Sequence, residues 1–94
     1  MIKHIYCFRL KEREKAKEIG DHLMTLREHI PYMVHMEVGI DFKGVSNSWD
    51  LVEVCVFQDM DDFLRFGANE YHAGIRAYMS DKFIESCKVD YEIL

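Results

Sequence analysis

Polar and apolar positions alternate from Ile2 to Leu10. Ile2, His4, Tyr6, Phe8 and Leu10 share one face, and Lys3, Ile5, Cys7 and Arg9 share the other, which predicts a strand. From Glu12 to Ile30 the period lengthens. Ala16, Ile19, Leu23, Leu26 and Ile30 recur every three or four residues and predict one amphipathic helix. Pro31 sets its end, because the residue before a proline is pushed out of helical geometry. Gly20 costs that helix roughly 1 kcal/mol against alanine, and a glycine there permits close packing on a sheet. Alternation resumes from Tyr32 to Asp41, with Val34, Met36, Val38 and Ile40 expected inward and His35, Glu37 and Asp41 outward. The Gly/Ser/Asn-rich link from Lys43 to Ser48 reads as a hairpin loop. Trp49 to Phe57 is the next strand. Leu51, Cys55 and Phe57 lie on one face and Val52, Val54 and Val56 on the other, so both faces need covering.

Asp59 then caps a short helix with Phe63 and Phe66 on its apolar side and Gly67 at its end. Asn69 caps a second segment carrying Ile75, Tyr78 and Met79. Ser80-Asp81 is expected to cap one more turn holding Phe83 and Ile84. Cys87 to Ile93 closes the chain as a strand, with Asp90 opposite its apolar side alongside Lys88 and Glu92. The order β-α-β-β-α-β suits an α+β, ferredoxin-like sandwich over residues 1–94 as a single domain. The right-handed crossover rule favours strand order 4-1-3-2. Val52, Val54 and Val56, with Ile5 and Cys7 beside them, would leave the far sheet face apolar and wet. A homodimer packing sheet on sheet removes that exposure, and a twofold axis is its commonest form.

Composition narrows the function. The chain has 94 residues, 49% of them hydrophobic, and a formal charge of -5 with no clustered basic stripe. That is a poor match for nucleic acid or an anionic membrane. No apolar run reaches membrane-spanning length and the first residues lack a signal-peptide core, so the expected location is cytoplasmic. Cys7, Cys55 and Cys87 are odd in number and form no Cys-x-x-Cys pair, which argues for buried free thiols.

Chemistry rests on five histidines. His22, His29 and His35 form no metal-binding spacing, and no metal site is expected from them. His4 interrupts a face otherwise built of Tyr6 and Phe8. It reads either as a pocket residue beneath the helices or as a core histidine bonded to a backbone carbonyl. His72 falls at the third helical position after Asn69. The helix dipole favours the neutral imidazole there, as suits a general base. Asp90 is its expected partner, which would fix the tautomer. Tyr6, Tyr71 and Tyr78 are available to orient a phenolic or carbonyl ligand. There is no glycine-rich phosphate loop, no Gly-x-Ser-x-Gly and no redox pair, so chemistry would run on imidazole, carboxylate and phenol with no built-in cofactor.

The segments "MIKHIYCFRLK", "HIPYM", "MEVGIDF", "WDLVEVCVF", "DMDDFLRF", "EYHAG" and "VDYEI", in this order, resemble the stress-responsive dimeric α/β-barrel (Dabb) family over essentially the whole chain. The resemblance implies a ferredoxin-like unit that dimerises into a barrel. Some members resemble cofactor-free cyclases acting on polyketides. In these a histidine at the helix start acts as base, an aspartate of the final Asp-Tyr supports it, and a histidine near the N-terminus accompanies it. Those positions match His72, Asp90 and His4. The family often has His-Pro-x-His where this chain has Asn69 and Glu70 in the first two places. Tyrosines of the cyclases fall on Phe66 and Leu23. Residue reading and resemblance together give His72, Asp90 and His4 as catalytic candidates, and Tyr6, Phe8, Leu23, Phe66 and Tyr71 as substrate-binding candidates.

The leading expectation is a homodimeric binding protein, stress-related by resemblance, with a His-lined pocket for a small apolar or aromatic molecule. The second is a cofactor-independent cyclase, isomerase or lyase acting on a polyketide-like or phenolic substrate, with His72 as general base. The third is a monooxygenase-like or haem-handling barrel with His72 or His4 as axial ligand.

Overall fold

A computed structural model describes residues 1–94. The strand β1 spans Ile2–Leu10. A 3-10 turn at Arg13–Lys15 leads into helix α1, Ala16–Met24, and the short helix α2, Leu26–His29. Strands β2, Met33–Ile40, and β3, Leu51–Phe57, form a hairpin. Helices α3, Met60–Ala68, and α4, Glu70–Met79, precede strand β4, Phe83–Glu92. No helix is long and apolar enough to cross a membrane.

The four strands make one antiparallel sheet in the order β2-β3-β1-β4, as the crossover rule requires. The core lies between this sheet and the helices. Ile19, Leu23 and Leu26 come down from α1 and α2 onto Leu51, Cys55 and Phe57 of β3. A Cβ on Gly20 would stand 3.2 Å from Val38 and 3.6 Å from Leu51, so the small residue does let α1 approach the sheet. Asp59 caps α3 through the Asp62 amide, and Asn69 caps α4 through the His72 amide, each at 3.0 Å.

Several local expectations fail for identifiable reasons. The first helix breaks at Thr25, whose hydroxyl bonds the His22 carbonyl at 2.6 Å and competes with the backbone ladder. Strand β2 carries a register shift between Met33 and His35, so Met33 and Met36 are the buried residues. Val34, expected inward, is exposed because the bulge moves it off strict alternation, and Ile40 keeps the inner register but is exposed as the last residue of β2. Gly67 lies inside the last turn of α3, whose cap is Asn69. Phe83 and Ile84 open β4 instead of forming a helical turn: Lys82 bonds back to Met79, and its carbonyl accepts the Lys11 amide beside β1. All three thiols are free, but only Cys55 is buried; Cys7 is half-buried and Cys87 exposed, facing each other across β1 and β4.

Asp50 joins three parts of this frame. Its carboxylate accepts the Leu10 amide at 2.8 Å and the Arg13 guanidinium at 2.7 Å, while its own amide donates to Phe8. The residue is 8% exposed, so losing the carboxylate strands a buried amide. Asp50→Ala is predicted to lower stability by about 1–3 kcal/mol in urea denaturation, and a change within 0.5 kcal/mol, as expected for an ordinary surface site, would contradict this role.

Candidate functional site

A cavity of about 420 Å³ opens between the sheet and the helical layer. Its size suits a small organic ligand. The inward positions of β1, β3 and β4 form its floor. Phe63 and Phe66 of α3 and His72, Ile75 and Met79 of α4 form its roof, and Leu23 of α1 closes one side.

His4 sits on the floor, 7% exposed, and lies opposite both Cys55 and Asp90 in the sheet register. Its Nδ1 bonds the Asp90 carboxylate, and its Nε2 lies 3.7 Å from Glu53 on β3. Glu53 is itself 4% exposed. Burial alone would lower the His4 pKa, but the hydrogen bonds and charges of Glu53 and Asp90 outweigh it and hold the pKa above the ordinary 6.5. A carboxylate-imidazole-carboxylate triad therefore spans β4, β1 and β3. The backbone-bonded core histidine is excluded as a reading of His4, since both ring nitrogens face carboxylates and the residue lines the cavity.

His72 is the opposite case. The Asn69 cap starts α4 so that its third residue leans back over the end of α3. The imidazole stacks on Phe66 with ring centroids 3.9 Å apart, and its Nδ1 lies 3.0 Å from the Phe66 carbonyl. With Nδ1 donating to that carbonyl, Nε2 keeps a lone pair; the Arg76 guanidinium, a donor 3.1 Å from the same nitrogen, competes for the opposite tautomer. Burial first, and then the positive Arg76 guanidinium 3.1 Å from Nδ1, push the His72 pKa below 6.5. Asp90 does not pair with His72, contrary to the expectation: the register places it directly opposite His4, which takes its carboxylate.

Of the substrate-binding candidates, Tyr6, Phe8, Leu23 and Phe66 line the cavity. Tyr6 stacks on Phe8 at 4.4 Å and meets His4 edge-on at 5.8 Å. Tyr71 is elsewhere. It stacks on His29 at 3.6 Å and bonds the Thr25 hydroxyl, so it ties α4 to the first helical region. Tyr78 packs against His22 with ring centroids 4.0 Å apart and planes tilted by 40°, and also stays outside. Sequence reasoning missed Glu53, Arg76 and Lys88, which all line the cavity. Glu53 was detectable as the one carboxylate on the Leu51, Cys55 and Phe57 face, and Arg76 as one helical turn after His72. No group of three or more His, Cys, Asp or Glu side chains has metal-binding geometry.

This fold and cavity define a ferredoxin-like α+β protein with a histidine-bearing pocket. The chain belongs to the stress-responsive A/B barrel domain (Dabb) family, whose model matches residues 2–93. No curated protein matches it by sequence. Among solved structures it is similar to a dimeric protein of unknown function and ferredoxin-like fold from Bacteroides fragilis (20% identity, TM-score 0.80, covering 98% of this chain and 95% of that one). It is also similar to the hydroxynitrile lyase of Passiflora edulis (17%, TM-score 0.85, 99% and 93%). A cofactor-independent oxygenase of Streptomyces nogalater resembles it as well (12%, TM-score 0.76, 98% and 91%). At these identities the likeness is one of fold.

The two histidines give opposite pH signatures. A raised native pKa means His4 contributes stability that is fully present below 6.5 and lost as pH rises through its native value. A lowered one means His72 contributes stability present above 6.5 and lost as pH falls through its native value. The stability difference between wild type and His4→Gln is therefore predicted to shrink with rising pH, and that for His72→Gln to shrink with falling pH. Urea denaturation across the pH range checks both; parallel curves for the two variants would contradict the assignment.

Proposed function

We propose that the chain works as a homodimer that binds a small, mostly apolar carbonyl compound in this cavity and moves a proton on it without an added cofactor. The carrying observation is that two histidines on one cavity have pKa values pushed in opposite directions. Such a separation sorts an acid from a base. His72, neutral with a free Nε2, removes a proton from the carbon beside the carbonyl. Charge then develops on the carbonyl oxygen. The His4 Nε2–H, only loosely held at 3.7 Å from Glu53, donates toward that oxygen, while Asp90 keeps the ring oriented. The product class is that of an isomerase, cyclase or lyase. The lyase and the cofactor-independent oxygenase among proteins of similar fold support chemistry of this kind.

The dimer reading rests on the outer sheet face. Ile5 pairs with Val54 and Val89, and Cys7 with Val52 and Cys87. Val89 and Tyr91 are 52% and 39% exposed, and charged Lys3, Arg9, Glu37 and Glu85 lie around this patch. An apolar centre with a charged rim is the anatomy of an interface. The similar structures described as dimeric are consistent with it.

Two measurements test these readings. The protein is predicted to sediment as a dimer at micromolar concentration, and Val89→Glu as a folded monomer; a monomeric wild type removes the dimer. In deuterium oxide, a panel of small aryl and alkyl ketones is predicted to contain members whose α-hydrogens exchange faster with the protein, followed by NMR. His72→Ala should lower that rate by about 10²–10⁴-fold. Exchange unaffected by His72→Ala would overturn the base assignment, and a Soret band on haem titration that His72→Ala abolishes would favour the haem-handling alternative.

A further inference from the structure

The cavity is lined by two cations that no carboxylate engages, in a chain whose formal charge is -5. Besides His72 it is lined by Glu53 and Asp90, by His4 between them, and by Arg76 and Lys88. Both carboxylates are already engaged by His4. Arg76 and Lys88 have no carboxylate partner, and they are the only lysine and arginine that line the cavity. Arg76 reaches only the Gly67 carbonyl at 3.5 Å and the His72 ring. Lys88 stands opposite Tyr6 in the register, with its ammonium 5.7 Å from the phenol ring. The two cations come from α4 and β4, the elements that flank the cavity mouth, and both residues are exposed. Behind them the wall is apolar: Phe8, Phe63, Phe66, Ile75 and Met79.

We propose that the ligand is a monoanion with a carboxylate-type head held by Lys88 and Arg76 at the mouth and an apolar, ring-sized body held between Tyr6 and the phenylalanines. The negative head follows from Lys88 and Arg76, the two lining cations that neither Glu53 nor Asp90 engages. A planar carboxylate also matches the forked guanidinium of Arg76. The proposal rests on the reading that this cavity is the ligand site, and it adds the class of ligand.

Isothermal titration of the full-length protein with 4-butylbenzoate and its uncharged isostere 4-butylbenzamide tests it. The benzoate is expected to bind roughly tenfold or more tightly than the amide, as a charged hydrogen bond allows. Lys88→Gln should weaken benzoate binding by a larger factor than benzamide binding, and so reduce that preference. Lys88→Glu should turn the preference toward 4-butylbenzylamine. Equal affinities for benzoate and benzamide, or a preference that survives Lys88→Gln, would overturn the anion proposal and leave the ligand site standing. Binding of neither compound would overturn the ligand-site reading and this proposal with it. Lys88 is exposed on a strand, so circular dichroism of its variants separates lost binding from lost fold.

Discussion

The structure turns on one buried imidazole held between two carboxylates. His4 and Glu53 are almost wholly enclosed, and ions taken out of water cost several kcal/mol each unless their partners compensate. Compensation here comes from the strands on both sides of β1: Asp90 from β4 and Glu53 from β3. The triad is thus a constraint on register as much as a source of charge. A slip of one residue in either pairing would turn the partner carboxylate to the far face and leave His4 buried beside a bare gap. The correct register also places Tyr6, Phe8 and Lys88 over the cavity and sends Ile5, Cys7 and Val89 to the outer face.

The same hydrogen bond decides the character of the other histidine. Asp90 has one productive orientation, toward His4 Nδ1, and this leaves His72 with a backbone carbonyl and a guanidinium as neighbours. A carbonyl fixes a tautomer without adding negative charge, whereas a carboxylate would fix it and raise the pKa. Had Asp90 reached His72, His72 would be the more readily protonated ring and His4 would depend on Glu53 alone. The opposite pKa shifts of His4, upward, and His72, downward, therefore follow from which strand lies opposite Asp90.

What the sequence disclosed and what it withheld divide along the reach of the physics involved. Period-two alternation is local, so both faces of β1 and β3 were legible, as were the Asp59 and Asn69 caps. Strand order followed from connection rules that need only the element sequence. The bulge in β2 was not legible, because Val34 is displaced by its pairing with β3 and nothing within Tyr32 to Asp41 encodes that. Phe83 and Ile84 are too short an apolar pair to tell a turn from a strand start. In the site, His4 and Asp90 could each be assigned to the inner face, but their pairing depends on the β1-β4 register. Tyr71 lay on the right helix and on the wrong side of it, because its partners Thr25 and His29 belong to a distant segment.

The sheet also links the two proposed surfaces. Residues adjacent along β3 point to opposite sides: Glu53 to the triad and Val54 outward against Ile5, beside which His4 points inward. Covering the outer face with a second subunit would take water away from one side of strands whose other side carries the charged triad. Lower local polarity strengthens ionic hydrogen bonds that are already satisfied and raises the cost of breaking them. Association would then stiffen β1, β3 and β4 where His4 must stay fixed, while the mouth between α4 and β4, with Lys88 and Arg76, lies on the helical side, away from the sheet face that a partner covers. On this view one strand alternation does two jobs: its odd positions build the contact between subunits, and its even positions hold the acid that works in the cavity.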